Sequence, residues 1–205
     1  LTEPQTAIID KQKPMVALTF DDGPHYTVTP RILDILQEHN ARATFFVLGN
    51  RVDNFPNIIQ REYSQGHEIG SHSFSHPQIT TLTSDEIEYQ FAETEHRIQQ
   101  YVPYTTKLVR PPYGQITQSL KEVLQKTFVL WSIDTQDWKT RDKDAIVSEV
   151  LNNVKDGDII LMHDMYSTTA DACEELIPAL IERGYQLVTV SELLNAKEIT
   201  PVAGS

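Results

Sequence analysis

The sequence predicts an α/β fold built on a parallel sheet. Strand-like and helix-like segments alternate about seven times between residues 14 and 195, and no internal repeat, linker or low-complexity block interrupts them. The chemically unusual polar residues also fall just after strands, which in a parallel sheet is one edge of the molecule. Seven units are one short of the eight-stranded barrel, and periodicity does not decide between an open, doubly wound sheet and a closed one.

Residues 1–13 are polar and aperiodic and read as a lead-in. Met15 to Phe20 then alternates, with Val16, Leu18 and Phe20 on one side and Ala17, Thr19 and Asp21 on the other. That pattern is a strand with a large apolar side and a small-to-polar side. Thr29-Pro30 offers an N-cap and a first-turn proline, and Ile32, Leu33, Ile35 and Leu36 form a helical stripe ending near Asn40. Ala43 to Leu48 is a second strand, Phe55-Pro56 opens a second helix stopped by Gly66, and His67 to Gly70 is a third strand. Thr83-Ser84-Asp85-Glu86 is a capping box, followed by the stripe Ile87, Phe91 and Ile98. Lys107 to Val109, Phe128 to Ile133, Ile159 to Met162 and Gln186 to Val190 are the remaining strands. Between them Ile116 to Lys126, Ala145 to Val154 and Ala172 to Arg183 read as helices. A short helix from Glu192 to Ala196 leads into a polar tail, residues 196–205.

The chain has 205 residues, 40% of them hydrophobic, enough for one domain with a sizeable core. Its 17 basic and 29 acidic residues give a net charge of -12, which argues against nucleic acid as a partner, because phosphate binding needs clustered Lys and Arg. The single Cys173 excludes an internal disulfide and, with no His or Cys beside it, reads as an ordinary buried thiol. No apolar run is long enough to span a bilayer and no signal peptide is present; the start at Leu1 fits a mature or trimmed chain whose leader or anchor lies outside it.

Asp21 and Asp22 end the first strand, and two adjacent carboxylates there need a cation. His72 and His76 follow the third strand at a spacing that lets one turn or a tight loop bring both imidazoles to a shared metal. Two His and one carboxylate leave open coordination positions, the arrangement of a catalytic site. One Asp of the pair can then bind the metal while the other takes a proton from water that the metal acidifies. Arg110, after the fourth strand, can hold the base carboxylate with its fork of donors. His163, after the sixth strand, can serve as an acid if Asp134 or Asp137 raises its pKa. Trp138 reads equally as core or as a groove wall; His25, after the Asp-Asp-Gly-Pro turn, is placed to face the groove without belonging to a motif, His39 and His96 read as solvated, and His67 reads as structural.

Thr-Phe-Asp-Asp-Gly-Pro, His-Ser-x-x-His, Arg-Pro-Pro-Tyr, Asp-x-x-Asp-Trp and Leu-x-His occur in that order. They resemble the five motifs of the polysaccharide deacetylases (carbohydrate esterase family 4), over about residues 14–195. The intervening sequence is most similar to the catalytic domain of streptococcal peptidoglycan N-acetylglucosamine deacetylases. The resemblance implies a distorted (β/α) barrel of about seven parallel strands as a catalytic domain over residues 14–195. It implies a divalent metal, zinc first and cobalt or another as options, on Asp22, His72 and His76. It makes Asp21 the base, His163 the acid, Arg110 the partner of Asp21 and Asp137 the partner of His163. Tyr113 N–H would face the oxyanion, and Trp138 and Leu161 would line the acetyl pocket. The implied activity is removal of N-acetyl groups from N-acetylglucosamine in peptidoglycan, outside the membrane, by a monomer with no protein partner. Chitooligosaccharide deacetylation and acetylxylan esterase activity use the same motifs, and a glycan-binding protein without turnover is the alternative of another class.

Overall fold

The computed structural model describes residues 3–199; residues 1–2 of the expected lead-in and 200–205 of the expected tail lie outside the described residues. Eight strands form one sheet in which every pairing is parallel: β1 (Met15–Asp21), β2 (Thr44–Val47), β3 (Glu68–Ser71), β4 (Leu108–Val109), β5 (Thr127–Phe128), β6 (Ile133–Asp134), β7 (Ile159–His163) and β8 (Gln186–Leu187). The order is β5-β4-β3-β2-β1-β7-β6, with β8 pairing the start of β1. The two edges, β5 and β6, are consecutive in the chain and are joined by residues 129–132. The sheet therefore curls until its edges are linked covalently rather than by a ladder.

The segment expected as one fifth strand is thus two short ones. Phe128 to Ile133 is apolar enough for a continuous strand, but its middle has no neighbouring strand to pair with. The carbonyls of Val129 and Leu130 instead accept hydrogen bonds from the Arg110 side chain, at 3.2 and 2.8 Å.

The helices are α1 (Val28–Glu38), α2 (Gly49–Val52), α3 (Pro56–Ser64), α4 (Ser84–Gln99), α5 (Gln118–Val123), α6 (Asp137–Thr140), α7 (Lys143–Asn153), α8 (Ser167–Glu182) and α9 (Val190–Ala196). The first strand explains how they are layered. Val16, Leu18 and Phe20 join the main core with Ile32, Leu33 and Leu36 of α1 and Leu176, Ile177 and Leu180 of α8. Met15 and Ala17 face the other way, into a smaller core with Phe46, Leu108, Val129 and Val188, where α9 contributes Val190 and Leu193. The alternation read from the sequence therefore separates a helix-covered outside from the inside of the curl. Thr19 and Asp21 continue the inner face, and they meet Arg110 there.

Two boundaries differ for identifiable reasons. Thr29 is not the N-cap of α1, because its hydroxyl donates to Asp164 Oδ2 at 2.6 Å and accepts from His25 N at 2.8 Å; the helix starts at Val28. The seventh strand stops at Leu187 because Thr189 and Glu192 form a capping box that begins α9. The lead-in has no helix or strand between residues 3 and 14, yet it is tied down: Gln5 N donates to Ser64 O and Asp10 N to Gln186 Oε1.

Candidate active site

Strand register creates the site. Asp21 is the last residue of β1 and stands beside His163, the last residue of β7. Asp22 lies just beyond the strand with φ 76°, a left-handed conformation that turns its carboxylate away from the line of Asp21. His72 follows β3 directly, and its Nδ1 donates to Arg110 O at 2.6 Å. That bond leaves the Nε2 lone pair facing the carboxylates, 3.3 Å from Asp22 Oδ1 and 3.6 Å from Asp21 Oδ2. His76 Nε2 is 3.6 Å from the same Asp22 Oδ1. The two histidines reach this point from a loop, not a helical turn, since Ser73 (φ 73°) and His76 (φ 60°) are both left-handed.

One ligand atom each from Asp22, His72 and His76 lie within 4.8 Å of one another. Asp22 Oδ1 is buried and accepts no hydrogen bond among the described residues. Burial works to raise the Asp22 pKa, but the neighbouring imidazoles, His72 first and then His163 and His76, outweigh it and hold the carboxyl at about 2. An ionised carboxylate with an orphaned oxygen beside two imidazole nitrogens is a donor set that fits a divalent metal of borderline character.

Two buried groups stand behind this cluster. Arg110 is fully buried, and its Nη1 donates to Asp21 Oδ1 at 2.9 Å and to Thr19 Oγ1 at 2.6 Å. Its guanidinium also lies over the rings of Phe46 and Trp131, at 4.3 and 5.6 Å. Asp137, equally buried, accepts from His163 Nδ1 (2.7 Å), His163 N (2.7 Å), Trp138 N (2.8 Å) and Thr169 Oγ1 (2.7 Å). Burial alone would lower the His163 pKa; the hydrogen bond and charge of Asp137, then Asp21 and Asp22, reverse this and raise it to about 9.

A cleft of about 410 Å³ opens over these groups, lined by Asp21, Asp22, His72, His76, Tyr113, Trp138, Leu161 and His163. All ten expected site residues therefore converge, eight on the cleft and Arg110 and Asp137 directly behind it. Trp138 is a wall, half-exposed, and Tyr113 stands edge-on to His76 with ring centroids 4.7 Å apart. Asp134 is not the partner of His163: it accepts from Gln136 N and lines the cleft. His25 does not line the cleft, and its Nδ1 accepts from Thr27 N and Val28 N at the start of α1. His67 is buried and accepts from Ala43 N. The sequence reading missed Thr19 and Thr169, which bond the two buried partners, and Trp131 and Tyr166 on the cleft wall. Thr19 lies within the first motif, but only the fold makes its contact with Arg110.

Known proteins share this sequence pattern and this fold. The polysaccharide deacetylase family profile matches residues 9–129, more than half of the chain. The peptidoglycan-N-acetylmuramic acid deacetylase PdaC of Bacillus subtilis is 44% identical over 195 residues, covering 95% of this chain and 42% of that protein. A solved structure of PdaC superposes with a TM-score of 0.91 at 45% identity, covering 93% of this chain and 94% of that one. The peptidoglycan-N-acetylglucosamine deacetylase PgdA of Listeria monocytogenes is 41% identical over 187 residues, covering 91% of this chain and 40% of that protein. The chain thus spans about two fifths of the length of these curated relatives. A family 4 acetyl xylan esterase from Clostridium thermocellum, solved with a cobalt ion, gives a TM-score of 0.87 at 38% identity, covering 92% of this chain and 94% of that one. By profile, identity and fold, the chain belongs to the polysaccharide deacetylase family.

Proposed function

We propose that this chain removes N-acetyl groups from N-acetylglucosamine residues of peptidoglycan, with residues 14–195 as the catalytic unit. One observation carries the reading. A carboxylate held by a buried arginine and an imidazole held protonated by a buried aspartate stand on adjacent strands over the Asp22, His72 and His76 cluster. The printed activities of PdaC and PgdA support peptidoglycan as the substrate class.

A divalent cation on Asp22, His72 and His76, zinc by our reading, would lower the pKa of a water towards about 7 and polarise the acyl oxygen. Cobalt suits the same donors and is the ion bound in the xylan esterase structure. Asp21 takes the proton of the attacking water through Oδ2, because its Oδ1 is engaged by Arg110. Tyr113, whose backbone is left-handed at φ 58°, presents its N–H to the developing oxyanion. His163 uses Nδ1 on Asp137, so Nε2 carries the proton that passes to the departing nitrogen. Acetate and a free amine result. Trp138 and Leu161 enclose the acetyl methyl.

The work is done outside the cytoplasm, where the wall glycan lies, by a monomer that uses neither nucleic acid nor a protein partner. Among the described residues no helix is long and apolar enough to cross a membrane. The test is acetate release from peptidoglycan, chitooligosaccharides and acetylated xylan after chelation and readdition of zinc or cobalt. Mass spectrometry of the product identifies which wall sugar has lost its acetyl group. Release from xylan or chitooligosaccharides with none from peptidoglycan would replace the proposal by the corresponding alternative, and release from none would favour a binding protein.

A further inference from the structure

The segment between the two histidine ligands is held by elements that none of the motifs contains. Ser73 and His76 are non-glycine residues in the left-handed region, and such strained residues persist only where their surroundings impose the conformation. Here five of the loop's backbone groups have defined partners. The carbonyls of Ser73 and Phe74 accept from Gly49 N and Asn50 N of α2, each at 3.0 Å. The amides of Phe74 and Ser75 both donate to one atom, Oε1 of Gln90 on α4, each at 2.9 Å. Gln90 Nε2 returns a bond to Ser75 Oγ at 3.0 Å, and His76 N donates to Ser73 Oγ at 3.0 Å.

The α2 contacts are close because residue 49 is glycine: a Cβ there would lie 2.5 Å from Thr94 Oγ1 and 2.6 Å from Phe74 Cδ2. Thr94 is one turn along α4 from Gln90 and donates to its carbonyl at 2.8 Å. The loop is therefore gripped on its carbonyl side by backbone and on its amide side by one side chain.

We infer that Gln90 is a positioning residue of the metal site: its side-chain oxygen fixes the 73–75 segment and with it the separation of His72 from His76. This rests on the metal-site reading above. Ser75 is exposed, so water can replace the lost acceptor when Gln90 is truncated. The effect therefore falls on ligand geometry more than on folding. Hydrogen-bond partners of the ligand side chains themselves are typically worth roughly 10–100-fold in affinity, and Gln90, which bonds the segment between the ligands, belongs at the lower end of that range.

The test measures the zinc dissociation constant by competition with a chromophoric chelator, beside the melting temperature of the metal-free protein. The proteins are wild type, Gln90→Leu, Gln90→Ala, Gln90→Glu and His72→Ala. Gln90→Leu and Gln90→Ala should weaken zinc by about 10-fold. Gln90→Glu, which keeps the acceptor oxygen, should stay near wild type. Zinc affinity within about twofold of wild type in the truncations overturns the inference whatever the melting temperature does. If neither truncation folds, Gln90 is holding the fold and the inference also fails. Wild type that binds no zinc, or binds it as well as His72→Ala does, would instead overturn the metal-site reading.

Discussion

Replacing Asp137 by Asn tests the proposed acid most directly. Asp137 Oδ1 accepts the His163 Nδ1 proton at 2.7 Å, and together with Asp21 and Asp22 it lifts the imidazole from 6.5 to about 9 against the effect of burial. A cation on Asp22 would offset part of the Asp21 and Asp22 contribution, but the Asp137 contact lies behind the ring and persists. A charge-assisted hydrogen bond of about 1.5–3 kcal/mol corresponds to roughly 1–2 pKa units. The alkaline limb of kcat/KM should therefore move down by that amount in Asp137→Asn, because activity needs the protonated ring and is lost as pH rises through its pKa. At about pH 7.5, a ring lowered to roughly 7–8 is about one-quarter to three-quarters protonated, so the loss from protonation alone is at most about fourfold. The amide adds a second effect. If its NH₂ faces the ring, His163 must accept at Nδ1 and adopts the neutral tautomer; if it faces the other way, it opposes His163 N–H. The assay is acetate release against pH at saturating metal. A limb that stays in place, with activity lowered equally at every pH, would refute the role given to Asp137.

Asp21→Asn should abolish turnover while zinc content stays at one per chain, whereas His72→Ala should lose the zinc; equal zinc loss in both, read by elemental analysis, would contradict the division of labour. Arg110→Met leaves Asp21 buried without its cation and frees the carbonyls of Val129 and Leu130. Breaking a buried pair in this way should cost about 3–5 kcal/mol in urea unfolding, and a loss under about 1 kcal/mol would mean that Arg110 does not brace the sheet edges. Asp164 is fully buried, and burial first, then Asp22 and Asp21, push its carboxyl from 3.8 to about 7 despite the bond from Thr29. A carboxyl with a raised folded pKa contributes most below its unfolded value, so wild type should lose stability from that value up to about 7, by at most about 4 kcal/mol. Asp164→Asn should flatten this slope and unfold later than wild type at about pH 8; an unchanged slope would refute it.

What was legible in the sequence follows from the geometry of parallel sheets. Each strand of an α/β unit ends on the same edge, so residues placed after strands come together whatever their separation in the chain. That is why Asp21, His72, Arg110, Asp137 and His163 converge as their order implies. Contacts that depend on how the sheet closes gave no such signal. Thr169 reaches Asp137 from α8, Thr19 reaches Arg110 across the inside of the curl, and the gap after β5 depends on how many strands surround it. None of these leaves a period in the sequence.

The two adjacent carboxylates show the same division at atomic scale. Alternation along a strand suggests that neighbours diverge, and they do, but alternation is not the cause. Asp21 is still in the strand, in register with His163 and held by Arg110. Asp22 has left it, and its φ of 76° swings the carboxylate between His72 and His76. A substitution that relaxes this single backbone angle should therefore misplace the Asp22 ligand while leaving Asp21 on Arg110. The metal contact and the proposed base are separable in structure, as Asp21→Asn and His72→Ala are expected to separate them in function.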